Sequence, residues 1–382
     1  MVVFFSYFID YNDYAGSQII VTPKAKGCYC RQKYDTITAM DKDLKNKTAG
    51  ELTQLVKQFG SKEYLAGYIF SFIHSKDAKG LDDITPLPKV FRNQLAKMEY
   101  YISKLEMLEK LIDPDGTIKY VFALGDGLRI ETVVLVDGTR STHCISSQAG
   151  CRRGCAFCAT GKGKFARDLT AGEIADQVNQ AAADRGKINN VVYMGMGEPM
   201  DNFDEVIRSV KILNDRAGRN IGQRRITLST CGIVEGIDKL AQQGLQVRLA
   251  VSLHAGEDKL REKIMAVAKK YPLKILLESV RNYQRKVKRR VTFEYCMIKG
   301  LNDSAAQGRG LIKVLSNVNA HVNLIEYNPH PGCEFAPSEP RTIYHFAEIL
   351  KAAGIETSIR YKRGAGINAA CGQLGAATLN DR

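Results

Sequence analysis

The sequence lacks a hydrophobic run long enough to cross a lipid bilayer. Its longest apolar stretch near the start, residues 1–9, contains a serine and is far shorter than the ~20 residues of a membrane-spanning helix. That stretch also lacks the positively charged lead of a secretory signal. The two absences argue against a membrane protein and a secreted protein, and we expect a cytoplasmic protein with no membrane partner.

Acidic residues are in deficit. The 382 residues include 41 Asp and Glu against 55 Lys and Arg, which gives a net charge of +14 and an isoelectric point of about 9.2. This excess favours an anionic partner, and RNA, DNA and acidic membranes all remain open on charge alone. Because the basic residues occur in clusters, a phosphate-binding face is favoured over a uniformly basic surface. The clusters are Lys162, Lys164 and Arg167; Arg224 and Arg225; Arg281, Arg285, Lys286, Lys288, Arg289 and Arg290; and Arg360, Lys362 and Arg363.

A disulfide scaffold is not indicated either. Ten cysteines in a large chain without a secretory signal are better explained by metal or redox chemistry. Cys28 and Cys30 lie within residues 1–40, which show neither helical nor alternating periodicity and are expected to form a poorly ordered extension. Without two more ligands close by, this cysteine pair is interpreted as inert rather than as a zinc site.

Helical periodicity begins after residue 40. Apolar residues at positions i, i+3, i+4 and i+7 predict two amphipathic helices, around Leu52–Phe59 and Leu65–Ile73. Together with the segments Phe91–Met98 and Tyr101–Leu111, they predict a small helical domain over residues 41–113.

Two strand-like runs follow this helical region, Thr117–Leu124 and Leu128–Val136. The GDG turn at residues 125–127 is typical of a β-hairpin, because glycine readily adopts the positive φ that such turns need. We expect residues 114–140 to form a hairpin linker.

From about Thr142 the pattern changes to short β-branched runs that alternate with helical stretches. One of these helices should begin with a capping box formed by Thr170 and Glu173. Six β/α units over residues 141–375 predict an α/β fold whose parallel sheet forms a partial barrel. In this architecture ligands bind at the carboxyl ends of the strands. The strand-like runs are Thr142–Ser147, Asn190–Met194, Arg225–Ser229, Val247–Ser252, Val291–Tyr295 and Val322–Tyr327.

A three-cysteine loop comes directly after the first of these strands. Cys151, Cys155 and Cys158 have the spacing CxxxCxxC, and Phe157 precedes the last cysteine. Three thiolates can hold three irons of a 4Fe-4S cluster and leave the fourth iron open, where S-adenosylmethionine (SAM) can bind through its amino and carboxylate groups. A closed zinc site would need a fourth ligand, and none lies nearby in the sequence. The loop therefore predicts an iron–sulfur cluster that binds SAM.

Polar residues at the ends of the other strands offer a site for the rest of SAM. The segment Gly195–Pro199 (GMGEP) lets the backbone approach a ligand closely, and Glu198 can accept hydrogen bonds from the SAM ammonium or ribose hydroxyls. The segment is not a dinucleotide fingerprint, since the third glycine is missing. Polar residues recur at equivalent strand ends, which favours one shared ligand site over unrelated caps. These residues are Ser229, Ser252, His254 and Asn328.

These features together make the sequence resemble the RlmN/Cfr family of radical-SAM adenosine methyltransferases. The resemblance runs from about Leu52 to Leu374, and AACGQL at residues 369–374 is its most specific motif. It implies a (β/α)6 partial barrel, a helical N-terminal domain that binds RNA, and methylation of adenosine at C2, or at C8 in one branch of the family. The other motifs are DGTIK at 115–119, IETV at 130–133, CISSQ at 144–148, the cysteine loop, GMGEP at 195–199 and SLHA at 252–255.

The resemblance also assigns roles to residues. Cys371 corresponds to the cysteine that is itself methylated, Cys144 to the cysteine that resolves the covalent intermediate, and Glu131 to a proton acceptor. Without the resemblance, Glu131 would be interpreted as a solvated strand carboxylate. The implied 4Fe-4S ligands are Cys151, Cys155 and Cys158, and the implied SAM contacts are Gly197, Glu198, Ser229, Ser252, Leu253, His254 and Asn328. Further implications are 23S rRNA and tRNA as substrates, an electron donor such as flavodoxin or ferredoxin, and a monomeric enzyme.

The chemistry of adenine explains why two cysteines are needed. Adenine C2 lies between two ring nitrogens, is electron-poor and has no lone pair with which to attack a sulfonium methyl group. A thiolate is a good nucleophile, so Cys371 can take a methyl group from one SAM, and reductive cleavage of a second SAM can then activate that group for addition to the ring. Release by Cys144 leaves a Cys144–Cys371 disulfide that must be reduced after each turnover.

The remaining cysteines have no comparable setting. Small residues around Cys371 favour close approach of a large ligand over a packing role, whereas Cys231, Cys296 and Cys333 are interpreted as packing thiols. Residues 363–368 (RGAGIN) depart from the family pattern, in which acidic residues usually follow the Arg-Gly pair, although that pair itself leans toward C2. Two alternatives stay open, a C8-adenosine rRNA methyltransferase that confers antibiotic resistance and a non-catalytic RNA-binding iron–sulfur protein.

Overall fold

The computed structural model describes residues 42–375. The predicted poorly ordered extension over residues 1–40, with Cys28 and Cys30, lies outside the described residues. Between residues 42 and 375, no helix is both long enough and apolar enough to cross a membrane.

The first described helices are α1 (Ala49–Gln58), α2 (Leu65–His74) and α3 (Lys89–Lys97). They confirm the two predicted amphipathic helices and the helical segment after them. A capping box begins α1: the Thr48 side chain accepts a hydrogen bond from the Glu51 amide, and the Glu51 carboxylate accepts one from the Thr48 amide.

The predicted helix over Tyr101–Leu111 is wrong. The strand β1 (Glu106–Ile112) occupies this segment and pairs antiparallel with β2 (Ile118–Ala123), which pairs with β3 (Arg129–Asp137). Every residue of β1 is exposed, so a helix here would have no buried face to stabilise it, while the strand gains main-chain hydrogen bonds to β2. The division into domains stays a prediction, and β1 already begins within its helical part.

The strand β4 (Arg140–Cys144) joins this antiparallel meander to the parallel part of the sheet, since it pairs antiparallel with β3 and parallel with a later strand, β7 (Asn190–Tyr193). The remaining strands are β5 (Gln148–Ala149), β6 (Arg167–Asp168), β7 (Asn190–Tyr193), β8 (Ile226–Thr230), β9 (Arg248–Ser252), β10 (Val291–Met297), β11 (Ala320–Glu326) and β12 (Glu356–Arg360). The remaining helices are α4 (Ala159–Lys162), α5 (Ala171–Arg185), α6 (Phe203–Asn214), α7 (Val234–Ala241), α8 (Asp258–Ile264), α9 (Leu273–Val287), α10 (Ala305–Leu315) and α11 (Pro340–Ala352).

The main sheet has ten strands in the order β1-β2-β3-β4-β7-β8-β9-β10-β11-β12, and β5 and β6 form a separate pair. All strands from β4 to β12 in this order are parallel, which confirms the α/β fold and the six predicted β/α strands. The seventh parallel strand, β12, escaped prediction because its residues alternate between exposed and half-buried at the edge of the sheet.

The sheet is curled, as shown by residues of distant strands that line the same cavity. Val133 on β3, Val192 on β7 and Ile325 on β11 all face this cavity, although five strands separate β3 from β11 in the sheet order. This curvature agrees with the predicted partial barrel. It brings the carboxyl end of β4 and the loop after β12 to the same cavity.

A buried ion pair fastens the N-terminal segment to α5. The Lys45 ammonium lies 2.7 Å from the Asp176 carboxylate, and both side chains are about 1% exposed. The other carboxylate oxygen accepts a hydrogen bond from the Leu105 amide at 2.8 Å. Next to this pair, the Asn46 side chain accepts a hydrogen bond from the Gly172 amide, also at 2.8 Å. The helical segment is therefore held on the barrel by polar contacts as well as by apolar packing.

We expect Lys45→Met to lower the free energy of unfolding by about 3–5 kcal/mol, because the buried Asp176 carboxylate would lose its cationic partner. Urea titration followed by circular dichroism measures the change. The matched control is Lys351→Met, which removes an exposed ion pair with Glu348 and should cost less than about 1 kcal/mol. Similar small effects for both variants would contradict the role of the buried pair.

Candidate active site

Two cavities lie at the carboxyl ends of the parallel strands. The inner cavity, about 160 Å³, is lined by the cysteine loop, by residues of Gly195–Pro199 and by Ser229, Ser252, His254 and Glu294. The outer cavity, about 280 Å³, is lined by Cys144, by apolar residues of β3, β7 and β11, and by residues 360–363. Cys158, Cys371 and Gly372 line both cavities.

The three cysteines of the CxxxCxxC loop are half-buried and all line the inner cavity. Burial raises the pKa of Cys151 to about 11 and raises the pKa of Cys155 and Cys158 above the usual value as well. The protein alone therefore favours neutral thiols, and three thiolates here need a cationic centre to stabilise them. This donor set fits a 4Fe-4S cluster.

A mononuclear metal site is not present among residues 42–375, because no three Cys, His, Asp or Glu side chains are grouped to hold one ion. The ligands of a cubane cluster bind three different irons, so their sulfur atoms need not converge on one point. Main-chain hydrogen bonds fix the loop: the Ala156 amide donates to the Ile264 carbonyl at 2.9 Å, and the Ala159 amide to the Gly372 carbonyl at 2.8 Å.

Gly197 makes the close backbone approach that the sequence predicts. Its φ is +99°, and a Cβ atom at this position would lie 2.6 Å from Cβ of Gln148. The neighbouring Glu198 is buried, and its two carboxylate oxygens accept hydrogen bonds from the Met200 amide at 3.0 Å and the Cys231 amide at 2.7 Å. Glu198 therefore joins the ends of β7 and β8 at the wall of the inner cavity.

The strand-end residues lie where the sequence predicts, with one difference. Ser229, Ser252 and His254 line the inner cavity. The Nδ1 atom of His254 accepts a hydrogen bond from the Cys296 amide at 2.9 Å. Burial lowers the pKa of His254 to about 3, so this ring is neutral. Leu253 is fully buried, and it contributes main-chain groups to this region rather than cavity lining. Asn328 lines the outer cavity instead, where it donates a hydrogen bond to the Cys371 carbonyl at 3.1 Å.

Sequence reasoning missed two buried charged residues of this region. Glu294 lines the inner cavity from the middle of β10, and its Oε2 is buried without a hydrogen-bond partner among the described residues. Arg261 is fully buried and donates to the carbonyls of Leu253, Tyr271 and Cys231, so it fixes the ends of β8 and β9. A charged residue inside the apolar run of β10 was the available signal for Glu294, but nothing local marks Arg261.

The unpartnered groups support a polar ligand. Glu294 Oε2 in the inner cavity and Asn328 Oδ1 beside the outer cavity are both buried acceptors to which no group within residues 42–375 donates. A buried acceptor is costly unless a ligand or water completes it. SAM carries an ammonium group, ribose hydroxyls and an amino group, so its donors fit the Glu294 acceptor in the inner cavity.

The two predicted reactive cysteines meet at the outer cavity. Cys371 is exposed and lines both cavities, and Cys144 at the end of β4 lines the outer cavity. Burial raises the pKa of the Cys144 thiol above its usual value, and the nearby Cys371 thiol raises it further. A sulfur atom at the junction of the cavities can contact ligands in both.

The loop that carries Cys371 is held mainly through its backbone. Thr160 donates to the Leu374 carbonyl at 2.6 Å, and the Gly375 amide donates to the Glu131 carboxylate at 3.0 Å. Glu131 is buried and pairs with Lys119 at 3.1 Å, while Lys119 also donates to the Asn368 carbonyl at 3.4 Å. Glu131 is therefore not a solvated strand carboxylate, and it lines neither of the two cavities.

A three-cysteine loop after the first strand of a curled parallel sheet defines the radical SAM class of enzymes. Residues 145–307 match the family model of the Radical SAM superfamily. A crystal structure described as a radical SAM methyltransferase from Sphaerobacter thermophilus superposes with a TM-score of 0.83 at 42% identity, and the match covers 87% of this chain and 99% of that one.

Similarity over most of the chain identifies the family. A probable dual-specificity RNA methyltransferase RlmN from Thermus thermophilus is 43% identical over 327 residues, which cover 85% of this chain and 92% of that protein. The dual-specificity RNA methyltransferase RlmN from Syntrophobacter fumaroxidans is 41% identical over 334 residues, which cover 87% of this chain and 97% of that protein. The chain belongs to the RlmN family of radical SAM methyltransferases. It is a SAM-dependent methyltransferase with a 4Fe-4S cluster and SAM as cofactors, which excludes the non-catalytic alternative.

We expect Gly197→Ala to weaken SAM binding roughly tenfold, equivalent to about 1.4 kcal/mol, because the added methyl group would displace Gln148 or the strand-end turn. Equilibrium dialysis of the cluster-loaded enzyme with labelled SAM measures the affinity. Gly244→Ala is the matched control, since Gly244 also has a positive φ, +65°, but apart from its chain neighbours no residue between 42 and 375 has an atom within 4 Å of its Cβ position. Unchanged affinity in Gly197→Ala would contradict the assignment of this turn to SAM.

Proposed function

We propose that the enzyme methylates C2 of adenosine in RNA, with 23S rRNA and tRNA as its substrates. The observation that carries the proposal is the position of Cys371, whose side chain lines the inner cavity with the cluster ligands and the outer cavity with Cys144. The names of the relatives as dual-specificity RNA methyltransferases support RNA as the substrate. The choice of C2 rests on the resemblance of the site motifs.

The inner cavity is the proposed place of SAM and the outer cavity that of the target base. Val133, Leu135, Val192 and Ile325 give the outer cavity apolar walls suited to a flat aromatic ring. Arg360, Lys362 and Arg363 line the same cavity, where they can hold the phosphates on either side of that base. Of the basic clusters in the sequence, this is the one that lines the outer cavity.

In the proposed reaction Cys371 first acts as a nucleophile. Its sulfur loses a proton, displaces the sulfonium of one SAM and becomes S-methylcysteine. Cys151, Cys155 and Cys158 would hold the cluster, which together with a second SAM would supply the one-electron chemistry: removal of a hydrogen atom from the S-methyl group, and uptake of the electron released when the ring regains aromaticity. The methylene carbon joins Cys371 sulfur to adenine C2, and C2 gives up its proton.

Cys144 then releases the product. Its thiolate attacks the Cys371 sulfur, and a disulfide forms while the electron pair of the sulfur–carbon bond stays on the methylene carbon. That carbon takes a proton from solvent and becomes the methyl group of the product. A dithiol reductant must reopen the disulfide before the next turnover.

For Glu131, the contacts support a positioning role for the Cys371 loop, and the proton-acceptor role rests on the resemblance alone. An electron donor such as flavodoxin or ferredoxin is part of the proposal on the same ground. The expected monomeric state and the expected cellular location stay predictions.

The test of the proposed function uses SAM with a trideuterated methyl group. RNA from a reaction with the anaerobically reconstituted enzyme is digested to nucleosides and analysed by mass spectrometry. We expect methyladenosine with two deuterium atoms and one solvent hydrogen in the new methyl group, located at C2. Three retained deuterium atoms would rule out the S-methylcysteine route, and a methyl group at C8 would move the enzyme to the other branch of the family.

We expect Cys144→Ala to accumulate a covalent adduct between the protein and RNA through Cys371, since addition can proceed while release cannot. Denaturing gel electrophoresis with labelled RNA, followed by mass spectrometry of the linked peptide, detects the adduct. The matched control is Cys333→Ala, a half-buried thiol that lines neither cavity, which should give free methylated RNA. Free product from Cys144→Ala at the normal rate would refute its role.

A further inference from the structure

A tyrosine at the rim of the outer cavity is the most exposed large apolar side chain among the described residues. Tyr361 is 75% exposed, directly follows the edge strand β12 and lines the outer cavity. Single exposed apolar side chains are common on protein surfaces and need no special explanation. Tyr361 differs from other exposed apolar side chains in its position at the mouth of a cavity and in the side chains that surround it.

A second tyrosine lies beside the first. Tyr344 on α11 is 51% exposed and is close enough to Tyr361 for the two side chains to interact. Two aromatic side chains therefore adjoin at this rim.

The charges at this rim are predominantly positive. Arg360, Lys362 and Arg363 line the outer cavity together with one carboxylate, that of Glu326. Arg360 lies 3.7 Å from the buried Glu294, and Arg363 donates to the carbonyls of Asp115 and Val136, so both are anchored in the structure. Lys362 is exposed and has no ion-pair partner within residues 42–375. An aromatic face between cations is the arrangement that binds single-stranded nucleic acid.

We propose that Tyr361 is the stacking platform for a nucleotide adjacent to the target adenosine, and that Lys362 binds a phosphate next to it. The inference rests on the proposed function, because it assumes that the target base enters the outer cavity. A base inserted there must leave its own stack, and its neighbour in the strand then needs a new stacking partner. The Tyr361 ring at the mouth supplies one, and this favours a single-stranded or loop segment of RNA as the substrate.

The test measures steady-state kinetics and binding with a short RNA hairpin that contains the target adenosine. The RNA is prepared intact and with an abasic nucleotide on either the 5′ or the 3′ side of the target. We expect Tyr361→Ala to raise KM and Kd for the intact RNA about tenfold, and Tyr361→Phe to retain both. An abasic nucleotide beside the target should raise KM and Kd of the wild-type enzyme by the same factor of about ten. It should change KM and Kd of the Tyr361→Ala variant little, because this variant has already lost the stacking contact.

The matched control is Ile275→Ala on the outer helix α9, a 48% exposed side chain that lines neither cavity and should behave as wild type. Equal KM and Kd for Tyr361→Ala and wild type, with normal methylation by both, would overturn the platform while leaving the proposed function intact. If Tyr361→Ala instead slowed reduction of the cluster by the electron donor and left the RNA affinity unchanged, the rim would be a contact for a protein partner. This result would also overturn the stacking role of Tyr361. No methylation of the hairpin by wild type or by Ile275→Ala would overturn the proposed function, and the platform with it.

Discussion

The rest of the site depends on one constraint: the sulfur atom of Cys371 must contact both the inner and the outer cavity. Cys371 lines the cavity of the cluster ligands and also the cavity that contains Cys144. Its loop follows the last strand of the sheet, so its position is set by the curl of the whole sheet. The backbone of the loop is tied to the barrel on both sides of the cysteine, at Asn368 and at Gly375. The chain on both sides of the thiol is therefore fixed, while the thiol itself lines the two cavities.

The buried charged side chains of the site hold the strand ends and the Cys371 loop in place before any ligand binds. Glu198 ties the ends of two strands together through main-chain amides, and Arg261 does the same through main-chain carbonyls. Lys119 and Glu131 pair beneath the Cys371 loop. Each of these groups is expensive to bury and is compensated by several partners, so the strand ends are held in one arrangement. Preorganisation of this kind reduces the reorganisation needed when SAM and a nucleobase meet at one sulfur.

Features that depend only on residues close together in the sequence could be predicted from it. The CxxxCxxC loop, the capping box at Thr170 and the apolar runs of the inner strands depend on neighbouring residues, and the structure has them where they were expected. The strand β1 was missed because its apolar residues were interpreted as part of a helix, although they are exposed in the strand. The strand β12 was missed because an exposed edge strand is stabilised by pairing with its neighbour rather than by an apolar pattern of its own. The contact between Glu131 and Gly375 joins residues 244 positions apart, and the three carbonyls bound by Arg261 come from different loops. Such contacts exist only after the sheet has formed.

If Cys371 carries the methyl group from SAM to RNA, a pulse-chase experiment can follow this transfer directly. The enzyme is first charged with SAM labelled in its methyl group, freed of excess SAM, and then mixed with RNA and unlabelled SAM for a single turnover. We expect the label on the Cys371 peptide after the pulse and in adenosine of the RNA after the chase. Label that stays on the protein while the RNA acquires only unlabelled methyl groups would contradict it.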